Sequence, residues 1–276
     1  MSQLKNEPKK DLTAVILCAG EGKRLKKVTI DTPKPLLKLD ILENKTILQN
    51  TITQLITLGI KRILIVIGHL GTAISDYISR LSRNNISLQN KLIIINSENQ
   101  YKLGPLYSFL SITKNKTVYK DNNYYLLIPG DTIFDFHLLK RIFSIISKNY
   151  NLFVKYPIVF YRTMEKKQLQ SIKKKKLVVS HANLDTSLSE ILIKGISQLN
   201  IKKIDLKTKL NEIIPAFSLN YASINEILNL KDKTPFTTVW EVLNYMISNE
   251  KKVIGFNIES QYQFLDIDEK SDLKKI

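Results

Sequence analysis

Apolar residues in the first half of the chain follow two alternating patterns. Short, continuous apolar runs at 12–19, 62–67, 92–96 and 124–128 are typical of parallel strands that are buried on both faces. Between these runs, apolar residues spaced three and four apart predict helices at 46–58, around 73–83, around 105–112 and at 138–148. The alternation of strand and helix predicts a doubly wound α/β sheet.

After residue 150 the pattern becomes richer in strands. We predict strands at 152–162, 177–181, 190–201 and 213–220, then helices around 224–230 and 238–248. Two further strands, at 252–257 and 262–267, are expected to return to the first sheet. No linker or solenoid repeat is evident, so the sequence predicts one α/β domain, a Rossmann-like mixed sheet with a β-rich flank.

Composition narrows the classes of protein that fit. The chain has 276 residues, 43% hydrophobic residues and a single cysteine, Cys18, which is typical of a globular protein from a reducing compartment. The polar start at 1–10 lacks the apolar run of a signal peptide, and no apolar run approaches the ~20 residues of a membrane span. We therefore expect a soluble, cytoplasmic protein with no membrane insertion.

The chain is strongly basic, with 42 Lys and Arg against 25 Asp and Glu and a net charge of +17. Such a field attracts polyanions, which can be nucleic acid, an anionic membrane surface, or nucleotide and phosphate ligands. Four consecutive lysines at 173–176 are interpreted as a solvated turn between strands. Because no nucleic-acid-binding motif is present and aromatic residues are not interleaved with the lysines, nucleic acid is not the expected partner.

A glycine-rich turn follows the first strand and carries Gly20, Gly22, Lys23 and Arg24. Glycine lets backbone N–H groups approach phosphate oxygens, and the cations supply counter-charge. The spacing matches neither the P-loop nor the dinucleotide fingerprint. Lys34 lies between two prolines, which stiffen the backbone and suit a lysine that must hold one phosphate.

Three carboxylates are candidate metal ligands. Asp131 comes at the carboxyl end of a predicted parallel strand, where ligands bind in open α/β sheets. Asp266 and Asp268 alternate along a predicted strand and share one face, and such oxygen ligands suit Mg²⁺. The alternative for Asp131 is a helix cap, and the alternative for the other two is an acidic turn that caps the last helix.

A signature after the first strand and four later segments, in chain order, resemble the nucleotidyltransferase family (NDP-sugar pyrophosphorylases, or sugar-1-phosphate nucleotidylyltransferases). The signature consists of Leu-Cys-Ala-Gly-Glu-Gly-Lys-Arg-Leu at 17–25, Thr29, and Pro-Lys-Pro-Leu at 33–36. The later segments are Leu-Gly-Ile-Lys-Arg-Ile-Leu-Ile-Val-Ile-Gly at 58–68, Gly104-Pro105, Ile-Pro-Gly-Asp-Thr-Ile-Phe at 128–134, and Phe-Leu-Asp-Ile-Asp at 264–268 followed by Asp272-Leu273. The resemblance implies a GT-A-like fold of the nucleotide-diphospho-sugar transferase type. It further implies that 10–150 form the nucleotide-binding half of a single domain at 1–276 and that 151–276 form its acceptor-binding and closing half.

The resemblance also implies roles for particular residues. Asp131 and Asp266 would hold Mg²⁺ on the α-phosphate, with Asp268 as a supporting or alternative ligand. Lys34 would steady the transferring phosphate, and Arg24, Lys34 and Asp131 would be the catalytic residues. The nucleotide-binding residues would be Ala19, Gly20, Gly22, Lys23, Arg24, Gln100 and Gly104. Lys202, at the end of a strand that resembles the family's acceptor strand, would bind the acceptor's phosphate or would be a plain surface lysine.

The implied reaction condenses an NTP with a sugar 1-phosphate to give an NDP-sugar and pyrophosphate. Two positions depart from the family pattern: Lys23 replaces the usual Thr, and Ile201 replaces the Glu that precedes the acceptor lysine. The missing Glu at Ile201 and the Asp266-Ile-Asp268 ending with Asp272 make a CTP-dependent cytidylyltransferase acting on phosphocholine or inositol phosphate a close alternative. A basic nucleic-acid-binding protein and a non-catalytic nucleotide sensor are alternatives from other classes. The sequence does not decide whether the chain forms a homo-oligomer.

Overall fold

The computed structural model describes residues 12–25, 29–165, 178–204, 209–231, 234–268 and 272. Its strands are β1 (Leu12–Cys18), β2 (Ile63–Ile67), β3 (Leu92–Asn96), β4 (Tyr124–Pro129), β5 (Thr132–Phe134), β6 (Ile158–Met164), β7 (Val178–Asp185), β8 (Leu192–Asn200), β9 (Leu210–Asn220), β10 (Ile254–Asn257) and β11 (Phe264–Asp266). Its helices are α1 (Ile47–Thr57), α2 (Gly71–Arg83), α3 (Pro105–Leu110), α4 (Phe136–Lys148), α5 (Tyr150–Phe153), α6 (Tyr221–Leu230) and α7 (Val239–Ser248).

The strands form a nine-stranded mixed sheet in the order β3-β2-β1-β4-β9-β6-β10-β8-β7. The first four of these strands are parallel, β9 runs antiparallel to both β4 and β6, and β10 is parallel to β6. The hairpin of β7 and β8 forms the flank, and β7 also bridges to β9 at His181 and Glu212. The carboxyl ends of β1 to β4 therefore open at the same edge of the sheet.

Both faces of the sheet are covered, which explains the uninterrupted apolar runs. Along β1, Ala14 and Ile16 pack into one core cluster and Val15 into the other. The first cluster contains residues of α1, α2 and α4, and the second contains residues of α3, α6 and α7. This arrangement confirms the doubly wound α/β fold.

Two predicted strands need correction. The segment predicted as a strand at 152–162 contains the short helix α5, and its strand begins only at Ile158. Pro157 separates the two because its ring fixes φ and it cannot donate a hydrogen bond. The last strand, β11, does not join the main sheet but pairs antiparallel with β5, a three-residue strand that sequence patterning did not reveal.

Two further predictions concern surface features of the chain. The four lysines at 173–176 lie outside the described residues, so their predicted turn stays a prediction. In the part of the chain that the structure describes, no helix has the length and apolar character needed to cross a bilayer.

Candidate active site

Most of the predicted site residues lie in turns that follow the carboxyl ends of the parallel strands. Ala19 to Arg24 follow β1, Gln100 and Gly104 follow β3, and Asp131 follows β4. Because β3, β2, β1 and β4 are neighbours, the topology gathers these turns at one edge of the sheet.

The glycine-rich turn after β1 is closed by short-range hydrogen bonds. Gly22 has φ +64, a left-handed conformation that favours glycine, and its carbonyl oxygen accepts from the Leu25 N–H at 2.9 Å and the Thr29 hydroxyl at 3.1 Å. At Gly20, a Cβ atom would meet no other group within 4 Å. The backbone at Gly20 therefore borders open space that a phosphate could enter.

Lys34 connects two of the candidate carboxylates. It begins a 3-10 helix at Lys34–Leu36, its side chain is 9% exposed, and its ammonium donates to Asp131 Oδ2 at 3.2 Å and to Asp268 Oδ1 at 3.3 Å. Its stem packs beside Gly22, where an added Cβ would lie 3.3 Å from Lys34 Cγ. The lysine is thus fixed between the glycine-rich turn and the carboxylates.

The short sheet of β5 and β11 brings the C-terminal carboxylates to Asp131. Asp266 is in register with Thr132, whose hydroxyl donates to Asp266 Oδ1 at 2.7 Å, and the Ile267 N–H donates to the Asp131 carbonyl at 3.0 Å. The Asp268 N–H donates to Asp272 Oδ2 at 3.0 Å, which orients the end of this segment. Asp131, Asp266 and Asp268 therefore belong to one local network.

The pKa of the Asp131 carboxyl reflects its burial and the charged groups around it. Burial raises the pKa of its carboxyl, the positive charge of Lys34 opposes that effect, and the negative charges of Asp266 and Asp268 add to it. Asp131 is not a helix cap, because Asp135 caps α4 by accepting from the His137 N–H. The alternative interpretation of Asp131 is therefore wrong.

Arg24 and Lys23 differ in their surroundings. Arg24 Nη2 lies 2.9 Å from Asp268 Oδ1, so Arg24 joins the carboxylate network, although its side chain is 65% exposed. The side chain of Lys23 is 79% exposed and pairs with Glu21 at 2.8 Å. The structure thus brings Arg24 to the site and leaves Lys23 at its rim.

Gly104 lies in a turn that is supported by the start of α7. It has φ +120, and a Cβ atom there would be 2.6 Å from the Thr237 carbonyl oxygen, so glycine is required for both conformation and space. The Leu106 N–H donates to that same oxygen at 3.0 Å. Glu241 Oε2 holds the Thr237 and Thr238 N–H groups at 2.7 and 2.9 Å, as part of a capping box. Gln100 lies just before this turn, in the 3-10 helix Glu98–Leu103.

Lys202 follows β8 rather than one of the parallel strands β1 to β4. It lies in the 3-10 helix Ile201–Lys203 after β8 and is exposed, and within the described ranges no ion pair joins it to the carboxylates. Its neighbour Ile201 is fully buried with Met164, Val179 and Leu210. Position 201 therefore contributes an apolar core residue.

A buried ion pair that was not predicted from the sequence joins Arg162 of β6 to Glu212 of β9. The two side chains are 5% and 2% exposed, and Arg162 Nη2 lies 2.6 Å from Glu212 Oε2. The available signal was that Arg162 and Glu212 are each the single charged residue of a mainly apolar strand. Thr132, which orients Asp266, gave no signal because it belongs to an unpredicted strand.

Two of the carboxylates, Asp131 and Asp266, fit a divalent metal whose remaining ligands come from substrate and water. In the described part of the chain, no group of three or more His, Cys, Asp and Glu side chains forms a metal site. Asp131 and Asp266 repel each other, however, and a cation between them would relieve this repulsion. Mg²⁺ is usually bound through one or two carboxylates, with substrate phosphates and waters completing its six ligands, and this donor set fits that pattern.

Comparison with known families decides the class of protein. The family model described as nucleotidyl transferase matches residues 13–169, more than half of the chain, including the glycine-rich turn, Lys34 and Asp131. The chain belongs to the nucleotidyl transferase family. It is therefore an enzyme that transfers nucleotidyl groups, and the family predicted from sequence motifs is confirmed.

Solved structures show the same fold at low sequence identity. UDP-glucose pyrophosphorylase complexed with UDP-glucose matches with a TM-score of 0.67 at 16% identity, over 95% of this chain and 96% of that one. The inositol-1-phosphate CTP transferase from T. maritima gives 0.64 at 20% identity, over 94% and 90%. The CTP:phosphocholine cytidylyltransferase from Streptococcus pneumoniae gives 0.62 at 18% identity, over 96% and 97%. Among curated protein sequences, none matches significantly.

Proposed function

We propose that this nucleotidyltransferase condenses an NTP with a sugar 1-phosphate, in a Mg²⁺-dependent reaction that gives an NDP-sugar and pyrophosphate. The observation that carries the proposal is the contact of Lys34 with both Asp131 and Asp268, beside a glycine-rich turn that borders open space. This arrangement combines a fixed cation, carboxylates and a glycine backbone that a ligand can approach, which are features that phosphoryl chemistry requires.

The acceptor itself supplies the nucleophile. Its phosphate monoester is mostly dianionic at neutral pH, so one of its oxygens can attack the α-phosphorus of the NTP without a general base. As the new P–O bond forms, the bond to the β-phosphate breaks and its electron pair leaves with pyrophosphate. We assign Lys34 to the α-phosphate oxygens, because its ammonium is fixed from two sides, and Arg24 and Lys23 to the departing pyrophosphate.

Asp131 and Asp266 would hold the metal. A bound Mg²⁺ supplies positive charge at the α-phosphate and orients the leaving group. The Thr132 hydroxyl donates to Oδ1 of Asp266 and thereby orients the carboxylate. We assign Asp268 to orienting Lys34 and Arg24, both of which contact its Oδ1.

A second acceptor class deserves a test because of one observation. The family pattern has a Glu before the acceptor lysine, whereas here Ile201 is fully buried in an apolar cluster. The usual carboxylate is thus missing beside Lys202, which favours an acceptor without a sugar ring. The second candidate is a CTP-dependent transfer to phosphocholine or inositol phosphate. We further propose that the enzyme works in the cytoplasm, since Cys18, the single cysteine, is buried and free.

A matrix of substrates tests these proposals. Purified protein with Mg²⁺ would be given ATP, CTP, GTP, UTP or dTTP together with sugar 1-phosphates, phosphocholine or inositol phosphate, and pyrophosphate release would be measured. The sugar proposal predicts release with an NTP and a sugar 1-phosphate, and the second candidate predicts release with CTP and a non-sugar phosphate. No release with any pair, together with salt-sensitive binding to DNA or RNA, would contradict both proposals.

A further inference from the structure

Arg162 lies in the middle of β6, opposite Glu212 of β9 in the strand register. Both side chains are almost completely buried, and Glu212 Oε2 accepts from Arg162 Nε at 2.7 Å and from Nη2 at 2.6 Å. A carboxylate that uses one oxygen for two guanidinium donors fixes the plane of the guanidinium. The remaining nitrogen, Nη1, is thereby aimed in one direction.

That direction leads to residues 262–268, the closing segment of the chain. Arg162 Nη1 donates to the Tyr262 carbonyl oxygen at 2.7 Å, and the guanidinium carbon lies 4.7 Å from the centroid of the Phe264 ring. Phe264 is the first residue of β11, and Asp266 is its last. Arg162 therefore connects the main sheet to the strand that carries the candidate metal ligands.

β11 is held by its pairing with β5 and by the apolar packing of Phe264 and Leu265, and Ile267, the residue after it, is fully buried. It pairs with β5 over three residues, and a two-stranded sheet of this size is marginal by itself. Asp266 lies two residues after Phe264 in the same short strand. A shift of Phe264 relative to the Arg162 guanidinium would therefore also shift the Asp266 carboxylate. Arg162 adds a polar anchor from the main sheet to these contacts.

A buried ion pair is a weak source of stability, because the cost of removing two charges from water offsets their attraction. Apolar residues of similar volume would hold β6 and β9 together about as well. They could not donate a hydrogen bond to the Tyr262 carbonyl or hold a cation over Phe264. The specific contribution of Arg162 is therefore its contact with the closing segment.

We propose that Arg162, oriented by Glu212, is a positioning residue that fixes the segment 262–268 so that Asp266 and Asp268 face Asp131. This inference rests on the proposed function, because it takes those carboxylates as the metal-binding and phosphate-orienting groups. Among the described residues, the hydrogen bonds and ion pairs of Arg162 join it to Glu212 and to the Tyr262 carbonyl, and none joins it to Asp266 or Asp268.

The test replaces the pair as a unit, with Arg162→Met and Glu212→Leu in one protein. We expect the melting temperature to stay within about 4 °C of wild type. Amide hydrogen exchange at 262–268 should become at least about tenfold faster, while exchange in β1 to β4 stays unchanged. The Mg²⁺ concentration for half-maximal activity should rise about 10- to 100-fold, the range typical of lost supporting contacts around a metal.

Two further variants complete the design. Phe264→Leu removes the ring but keeps the ion pair, and it should also speed exchange at 262–268. Arg141→Met is the matched control, because it removes an exposed ion pair with Glu259, 2.9 Å long, that lies just before the same segment. The control should leave both exchange and Mg²⁺ dependence at wild-type values.

Two results would overturn the proposal. One is wild-type exchange at 262–268 and wild-type Mg²⁺ dependence in a folded double variant. The other is a double variant that fails to fold while Phe264→Leu exchanges like wild type, since the pair would then serve the stability of the sheet alone. Hydrogen exchange needs no substrate, so a failure of the proposed function in the substrate matrix is distinguishable from a failure of this inference.

Discussion

The ammonium group of Lys34 contacts two carboxylates that are 97 and 234 residues away in the sequence. If it stabilises charge on the transferring phosphate, Lys34→Gln should lower kcat by about 10²- to 10³-fold, the loss typical of one preorganised donor. Steady-state pyrophosphate release checks this. Lys38→Gln is the control, because Lys38 is an exposed lysine of the same segment. Equal effects of the two substitutions would contradict the assigned role.

Asp266 and Asp268 should respond differently to the loss of charge. Asp266→Asn should raise the Mg²⁺ concentration for half-maximal activity by at least about tenfold, because it removes a proposed metal ligand. Asp268→Asn should mainly raise the KM for the NTP, because Lys34 and Arg24 lose their shared partner. Titration of activity with Mg²⁺ and with NTP separates the two. The reverse pattern would make Asp268 the metal ligand.

The sequence predicted candidate residues for the site but not how they meet. The turn after β1 and Asp131 after β4 could be predicted, because an apolar run followed by glycine or by Pro-Gly-Asp marks the carboxyl end of a buried strand. The contacts of Lys34 and Arg24 with Asp268 could not be predicted. They depend on the pairing of β11 with β5, which brings distant parts of the chain together.

The turn that contains Gly104 is expected to affect stability, whereas the turn that contains Gly20 is expected to affect nucleotide binding. Gly104→Ala should destabilise the protein by about 1–3 kcal/mol, because alanine would adopt φ +120 and meet the Thr237 carbonyl. Gly20→Ala should leave stability nearly unchanged, because its Cβ would meet open space, but it should raise the KM for the NTP. Thermal unfolding and kinetics check both. Equal losses of stability would contradict this division.

Strands buried on both faces and helices with regular apolar spacing were the easiest elements to predict. β1, β2 and β4 are long apolar runs, and α1, α2 and α4 have regular apolar spacing, so each pattern indicates one structure. Short elements were not predictable in the same way. β5 has three residues, too few for a period, and the apolar residues around 152–160 belong to a helical turn and a strand on either side of Pro157.

The stability of the whole molecule should depend on the protonation of His181. Its Nδ1 accepts from the Asn211 N–H at 3.2 Å, and burial lowers its pKa below the ordinary 6.5, while hydrogen bonds with Asn183 and Asn211 oppose that effect. The unfolded chain then binds the proton more readily than the folded one. Stability should therefore be full above about pH 6.5 and decrease as the pH falls below it.

Melting temperatures between pH 7.5 and pH 5 provide the measurement. His181→Gln should lose less stability than wild type over this range, because the variant has no imidazole to protonate. His137→Gln, which changes an exposed histidine, should follow the wild-type curve. Parallel curves for wild type and His181→Gln would contradict the prediction.

Transfer of the α-phosphorus is the central claim, and it can be followed directly. An NTP labelled at its α-phosphorus would be incubated with Mg²⁺ and the acceptor that the substrate matrix identifies. Wild-type protein should move the label into the acceptor product and release one pyrophosphate for each label moved, and Asp131→Ala should do neither. Label that appears only as free nucleoside monophosphate, or that moves equally well in Asp131→Ala, would contradict the account.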